Sequence, residues 1–131
     1  MKHEIRVIFG DTDQMGVVYY ANYLRFFESS RAAYWRDLGK SYKDLEAWGV
    51  ALPVIEAHCA YKRPAYYEDL LIVEVRVSEL RAASLRFAYA VSRGAELLAE
   101  GYTRHAVIGT DGRPRALPQA LRDVIPPITP A

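Results

Sequence analysis

The sequence predicts an α+β fold in which one long helix packs on an antiparallel sheet. Several short segments alternate apolar and polar residues, which is typical of half-buried strands. One longer segment places apolar residues at three- and four-residue steps, which is typical of an amphipathic helix. The order is a strand, the long helix and then a run of strands, which favours an α+β layout over alternating strand and helix units.

A first strand is predicted over Glu4 to Phe9, and two helices follow it. The long helix is expected from about Ala21 to Leu38, with a glycine directly after it as a C-terminal stop. Within this helix, Glu28 can pair with Arg31 one turn further on. The run from Ser41 to Asp44 resembles a capping box and predicts a second, short helix.

Four further strands complete a predicted five-stranded sheet. They run from Leu52 to Tyr61, Asp69 to Leu80, Ser84 to Ser92 and Leu97 to Ile108. Because turn residues separate these consecutive segments, we expect them to form a meander. A short helical turn is expected near Gln119 to Val124.

Composition restricts the class of protein. The 131 residues are 51% hydrophobic, which suits one compact domain over residues 1–131 with a loose tail at 126–131. The net charge of +1 indicates no broad positive surface for nucleic acid. Cys59 is the only cysteine, and no apolar run is long enough to span a membrane. We therefore predict a cytoplasmic protein without stable membrane insertion.

One helix can cover only part of a five-stranded sheet, so both of its flanks stay open. We therefore expect a homodimer or a homotetramer in which sheets join or helices face each other. Clefts between the subunits are then natural ligand sites.

The segment from Gly10 to Tyr23 carries the clearest chemical signal. Asp11 and Asp13 lie in a short polar loop that leads directly into the long helix. A carboxylate at this place offers a base or a nucleophile beside unpaired backbone N–H groups, which can stabilise an oxyanion. Taken alone, acids before a helix more often cap it or balance its dipole.

This segment resembles a family signature. The run Asp11-Thr12-Asp13-Gln14-Met15-Gly16-Val17-Val18-Tyr19-Tyr20-Ala21-Asn22-Tyr23 is similar to that of hotdog-fold acyl-CoA thioesterases of the 4-hydroxybenzoyl-CoA thioesterase type. The chain is most similar to the bacterial branch associated with the Tol-Pal cell-envelope system. Further matches lie at Tyr61, Pro64-Ala65, Asp69, Arg81, Ser84 and Arg115 to Pro118. The resemblance implies a long central helix wrapped by a five-stranded antiparallel sheet.

The resemblance also implies roles for individual residues. Asp13 falls on the catalytic carboxylate, which attacks the thioester carbonyl or activates a water, whereas Asp11 is taken as structural. Gly16 and Val17 fall on the turn that lets the backbone approach the thioester. Tyr20 falls on the residue whose backbone N–H polarises the carbonyl oxygen. Many members of the bacterial branch carry His here, and a backbone donor tolerates the difference.

Basic residues are the candidates for the phosphates of coenzyme A. Arg81 lies where relatives carry several positive residues, and Lys62 with Arg63 precedes a proline. Ser84, which matches the family at the start of its strand, is placed with them as a substrate-binding residue.

Other chemistries have less support. A metal site would need a third acidic ligand near Asp11 and Asp13, and the sequence places none there. Ser84, His58 and Asp13 could form a triad only on paper, since no nucleophile-elbow pattern occurs. A hotdog dehydratase would need a histidine in the acidic loop, which has none.

We therefore predict an acyl-CoA thioesterase that releases a free acid and coenzyme A and needs no metal or redox cofactor. Acyl carrier protein is the other candidate carrier of the acyl group. The alternative from a different class is a non-catalytic protein of the same fold that binds acyl-CoA or acyl carrier protein, or serves as a scaffold.

Overall fold

A computed structural model describes residues 1–128 as a long helix packed on a five-stranded sheet. The helices are α1 (Asn22–Asp37), α2 (Tyr42–Ala47) and α3 (Gln119–Val124), and the strands are β1 (Lys2–Arg6), β2 (Val50–Ala51), β3 (Val54–Tyr61), β4 (Leu70–Leu80), β5 (Ser84–Arg93), β6 (Glu96–Ala106) and β7 (Ile108–Gly109). The predicted α+β fold is confirmed. The predicted tail is irregular over residues 126–128, and its other residues, 129–131, lie outside the described part of the chain.

The large sheet is antiparallel throughout, in the order β1-β4-β5-β6-β3, while β2 and β7 pair separately. The prediction of a four-stranded meander is therefore wrong for its first member, because β3 pairs with β6 and not with β4. Residues 62–69 are not a hairpin turn but carry the chain across the end of the sheet. Alternation identifies a strand without identifying its neighbours, which explains the error.

The core lies between α1 and the inner face of the sheet. Inward side chains of the two central strands are fully buried, among them Leu71, Val73, Leu85, Phe87 and Val91. Phe27 of α1 stacks on Tyr89 of β5 with ring centroids 4.1 Å apart. This packing fixes α1 across the sheet and places its start beside the end of β3, where the rings of Tyr20 and Tyr61 meet.

The first strand ends earlier than its alternation predicts. β1 stops at Arg6, and Phe9–Asp11 form a 3-10 turn because the Asp11 carboxylate accepts the Ile8 N–H at 3.0 Å. The predicted capping box is confirmed at α2, where the Ser41 hydroxyl accepts the Asp44 N–H at 3.3 Å. Within residues 1–128, no helix is long and apolar enough to cross a membrane.

Candidate active site

The acidic loop, residues 11–20, is a tight hairpin held over one end of the sheet. The Asp13 N–H donates to the Val17 carbonyl at 2.9 Å, and the Gly16 N–H donates to the Asp13 carbonyl at 3.0 Å. Gly16 has a φ of 81°, a conformation that a side chain would disfavour. The Val18 N–H donates to the Ala65 carbonyl at 2.9 Å and ties the loop to the connection between β3 and β4. Backbone hydrogen bonds therefore set the position of Asp13.

Asp11 is buried in this loop, with 3% of its surface exposed. Its carboxylate accepts the Ile8 N–H at 3.0 Å and the Arg25 guanidinium at 3.2 Å. Its carbonyl accepts the Tyr19 N–H at 2.9 Å and the Asn22 side-chain amide at 2.8 Å. With its acceptors engaged by the protein, Asp11 holds the loop against the start of α1.

Asp13 has a different environment, although only one residue separates it from Asp11. Its carboxylate accepts one protein hydrogen bond, from the Met15 N–H at 2.9 Å on Oδ1. Within residues 1–128, Oδ2 has no hydrogen-bond donor and no cation pairs with this carboxylate. An oxygen in this state can accept a proton from a water or attack an electrophile.

The start of α1 provides a donor beside this loop. The Tyr19 carbonyl accepts the Asn22 N–H at 2.9 Å, so Tyr20 is the second residue of a turn that leads into the helix. The Tyr20 carbonyl accepts the Tyr23 N–H at 3.3 Å and the Tyr61 hydroxyl at 2.9 Å. The Tyr20 N–H has no acceptor within the described residues. It is therefore available to an oxyanion at the positive end of the helix.

Aromatic rings surround this donor. Tyr20 is 61% exposed and lies against Tyr19 and Tyr61, with ring centroids 4.8 and 6.3 Å away. Tyr61 also meets Tyr23 at 5.2 Å. Burial raises the pKa of Tyr61 to about 12, so at neutral pH its phenol keeps the proton that it donates to the Tyr20 carbonyl. The rings give the exposed side of the site an apolar wall.

The predicted substrate-binding residues fall into two groups. Gly16, Val17 and Arg63 lie at the same end of the sheet as Asp13, and Arg63 pairs with Glu96 at 3.3 Å. Arg81 and Ser84 flank the turn between β4 and β5, at the far end of β4, and Arg81 pairs with Glu79.

The length of β4 separates these two groups. The strand spans Leu70–Leu80, which at about 3.3 Å per residue puts roughly 30 Å between its ends. One chain therefore does not bring Arg81 and Ser84 to Asp13. The family resemblance placed them in one site because a match along the sequence carries no information about the distance between residues in the fold.

A chain of buried hydrogen bonds, which no pattern in the sequence predicted, crosses the core from α1 to Leu52, two residues before β3. It joins the Arg31 guanidinium to the Tyr89 hydroxyl at 3.1 Å, this hydroxyl to the Thr103 hydroxyl at 2.7 Å, and Thr103 to His105 Nε2 at 2.8 Å. His105 Nδ1 meets the Leu52 carbonyl at 2.9 Å. A guanidinium only donates and a carbonyl only accepts, so every link donates in the direction of Leu52.

These hydrogen bonds correct one expectation from the sequence and set the protonation state of His105. Arg31 is buried and bonded to Tyr89, so the expected pairing of Arg31 with Glu28 is wrong. Burial lowers the pKa of His105 to about 4, with the hydrogen bond to Leu52 opposing the shift. The sequence does carry one signal for this network, because Arg31 is a basic residue on the apolar face of the predicted helix. The helix period alone, however, could not identify Tyr89 on β5 as its partner.

The other candidates from the sequence lie elsewhere. His58 is exposed on the outer face of the sheet, where its ring stacks on Tyr102 at 5.4 Å. Cys59 is half-buried, and burial raises the pKa of its thiol. Two cavities, of about 530 and 480 Å³, are lined by residues other than Asp13 and Tyr20. No group of three or more His, Cys, Asp or Glu side chains that could hold a metal occurs within residues 1–128.

Comparison with known proteins identifies the family. A sequence profile of the thioesterase-like superfamily matches residues 7–125. The chain belongs to this superfamily. A 1,4-dihydroxy-2-naphthoyl-CoA thioesterase from Synechocystis superposes with a TM-score of 0.88 at 27% identity, covering 95% of this chain and 93% of its own. The predicted hotdog fold is thereby confirmed.

Two relatives are similar over most of their length. The acyl-CoA thioesterase YbgC of Haemophilus influenzae is 34% identical over 120 residues, covering 90% of this chain and 88% of its own. The 1,4-dihydroxy-2-naphthoyl-CoA hydrolase of Synechococcus elongatus is 35% identical over 124 residues, covering 90% of each chain. These matches confirm the predicted enzyme class, a thioester hydrolase.

Proposed function

We propose that this protein hydrolyses an acyl-CoA thioester to a free acid and coenzyme A, with Asp13 and the Tyr20 backbone N–H as its catalytic groups. The observation that carries the proposal is the contrast inside the acidic loop. Among the described residues, the Asp13 carboxylate keeps an oxygen free of protein donors, and the nearby helix start presents a backbone N–H without an acceptor. Names of relatives that act on acyl-CoA substrates support the same reaction.

The two groups supply complementary parts of the reaction. Asp13 attacks the thioester carbonyl directly or removes a proton from the attacking water; both routes are open. Either route places negative charge on the carbonyl oxygen in the tetrahedral state. A donor at a helix start stabilises this charge where it forms, and losing one such donor typically lowers kcat about 100- to 1,000-fold. The reaction needs no metal or redox cofactor.

The loop geometry supports the roles proposed for Gly16 and Val17. The φ of 81° at Gly16 closes the turn without a side chain, so a thioester can approach the backbone there. Arg63 is the proposed phosphate contact from the same subunit. The closer relationship to the Tol-Pal-associated branch stays a prediction from the sequence. Acyl carrier protein as an alternative carrier of the acyl group also stays a prediction.

We also propose that the protein works as a homo-oligomer built on a dimer. β3 is an edge strand, and its exposed Val54 and Ile55 are 46% and 59% accessible. The opposite edge, β1, carries the charges of Lys2, Glu4 and Arg6, which discourage strand addition. Pairing β3 with a second copy joins two sheets and supplies Arg81 and Ser84 from the second subunit. The proposed location is the cytoplasm.

Release of free thiol from a panel of acetyl, octanoyl and aromatic acyl-CoAs tests this function. We expect hydrolysis by the wild-type protein and a loss of about 100-fold or more for Asp13→Asn, which keeps the shape and removes the base. Binding of a poorly hydrolysed substrate by the variant should persist in calorimetry. Equal rates of hydrolysis for the two proteins would remove Asp13 from the mechanism. Binding without turnover by the wild type would favour the non-catalytic alternative.

A further inference from the structure

A side chain at the end of β3 reaches the turn that leads into α1. Tyr61 is the last residue of β3, and its hydroxyl donates to the Tyr20 carbonyl at 2.9 Å. The phenol is the donor in this bond, because a carbonyl only accepts. The two residues lie 41 positions apart in the sequence. The bond therefore ties the sheet to the turn that carries the free backbone N–H.

The surroundings of Tyr61 fix the position of its hydroxyl. Its ring meets the ring of Tyr20 at 6.3 Å and that of Tyr23 at 5.2 Å, both edge to face, which is a favourable geometry for aromatic pairs. The thiol of Cys59, two residues earlier on the same face of the strand, lies against the hydroxyl. These neighbours hold the phenol in place from three sides, although 48% of the residue stays exposed.

The hydrogen bond from Tyr61 restrains the backbone on one side of the Tyr20 α-carbon. On the other side, the peptide that contains the free N–H is held through the Tyr19 carbonyl, which accepts the Asn22 N–H at 2.9 Å. The Tyr20 carbonyl accepts the Tyr23 N–H at 3.3 Å, which is long for a backbone hydrogen bond. The bond from Tyr61, at 2.9 Å, is the shorter of the two that this carbonyl accepts. Without it, one long bond would hold the second peptide.

The direction of this N–H matters for the reaction proposed above. A donor stabilises the developing oxyanion when it is aimed in advance at the place where the charge forms. A displacement of about 1 Å within a catalytic site can lower the rate roughly 100-fold. The residues that begin a helix lack part of the hydrogen bonding of its interior, so a bond from another element adds rigidity there.

We propose that Tyr61 is a positioning residue for the oxyanion donor: its hydroxyl holds the turn at Tyr20 so that the backbone N–H is aimed at the carbonyl oxygen of the thioester. This inference rests on the proposed function and adds a residue to its machinery. Tyr61 acts through Tyr20 and needs no contact of its own with the substrate. A direct contact, in which the phenol itself donates to the substrate, is the competing role.

Tyr61→Phe removes the hydroxyl and keeps the ring between Tyr20 and Tyr23. We expect kcat to fall about 10-fold, which is less than the 100- to 1,000-fold typical of deleting a donor outright. KM should stay within about twofold, because oxyanion stabilisation acts in the transition state and not on the bound substrate. Tyr67→Phe removes an exposed phenol whose ring lies against Phe9, and it should leave both constants unchanged. A wild-type kcat in Tyr61→Phe would overturn the inference.

Double variants show whether Tyr61 acts through the N–H of Tyr20. In a Tyr20→Pro background the N–H is absent, so adding Tyr61→Phe should lower the residual kcat by less than about twofold. In a Tyr20→Phe background the N–H is retained, so the loss of about 10-fold should persist. An equal loss in both backgrounds would contradict a positioning role and assign a direct contact with the substrate to the phenol.

Failure of the inference is distinguishable from failure of the proposed function. If the wild-type protein does not hydrolyse acyl-CoA, or if Asp13→Asn and Tyr20→Pro keep full activity, the proposed function itself fails. If hydrolysis depends on Asp13 and on the Tyr20 N–H while Tyr61→Phe keeps the wild-type kcat, only the positioning role of Tyr61 is lost.

Discussion

Two polar regions of this molecule use their hydrogen-bonding groups in opposite ways. In the buried hydrogen-bonded chain from Arg31 to Leu52, each link donates to the next, and of the groups along it only Arg31 Nε is left without a partner within the described residues. In the acidic loop, Asp13 keeps an oxygen without a donor and Tyr20 keeps an N–H without an acceptor, as far as the described residues go. Paired polar groups stabilise a fold, whereas unpaired groups at an open surface remain available to a ligand. Variants of the two regions should therefore have separate effects on stability and on catalysis.

The largest expected effect comes from removing the free N–H at the helix start. Tyr20→Pro deletes this donor at the second position of a turn, where proline is well tolerated. We expect kcat to fall about 100- to 1,000-fold. Tyr20→Phe keeps the N–H and the ring and should stay within a few-fold of the wild type. Equal losses in both variants would assign the role to the phenol instead of the backbone.

A smaller effect, on stability alone, is expected in the buried chain. Tyr89→Phe removes the hydroxyl that joins Arg31 to Thr103 and leaves both without this partner. The free energy of unfolding in urea should fall by about 1–3 kcal/mol. Tyr67→Phe changes an exposed ring and should alter it by less than about 0.5 kcal/mol. An unchanged stability for Tyr89→Phe would show that the chain contributes little.

The pH dependence of stability gives a third comparison. His105 has an ordinary pKa of 6.5 and a folded-state pKa of about 4, so between these values the unfolded chain binds a proton that the native chain does not. Its contribution to stability is complete above pH 6.5 and decreases as the pH falls toward 4, by up to about 1.4 kcal/mol per pH unit. His105→Asn cannot titrate and should show a shallower decrease in urea unfolding at several pH values. If the free energy of unfolding depended on pH in the same way in both proteins, a neutral, buried His105 would be contradicted.

Much of the fold could be predicted from local patterns, but the pairing of distant segments could not. The alternation from Ser84 to Ser92 gave β5 nearly to its ends, and the capping box at Ser41 gave the start of α2. The position of β3 beside β6 depends on where residues 62–69 cross the sheet, which no local period encodes.

For the candidate site, too, the local motif could be predicted from the sequence, whereas contacts between distant segments could not. The acidic loop was visible as a contiguous motif, so Asp13 and Tyr20 could be named from the sequence. Arg31 meets Tyr89 across 58 positions of sequence, so a helix period could offer only its neighbour Glu28 as a partner. Arg81 and Ser84 could be named as family matches. That they lie far from Asp13 follows only from the structure, in which β4 runs from the end near Asp13 to the opposite end of the sheet.

The two carboxylates of the acidic loop test the central claim most directly, because they are chemically identical and differ in their contacts. Asp11→Asn and Asp13→Asn are compared in kcat for acyl-CoA hydrolysis and in free energy of unfolding. Asp13→Asn should lower kcat about 100-fold or more and leave stability within about 0.5 kcal/mol of the wild type. Asp11→Asn should lower stability by about 1–3 kcal/mol through its contacts with Ile8 and Arg25. Wild-type kcat in a folded Asp13→Asn protein would contradict the account.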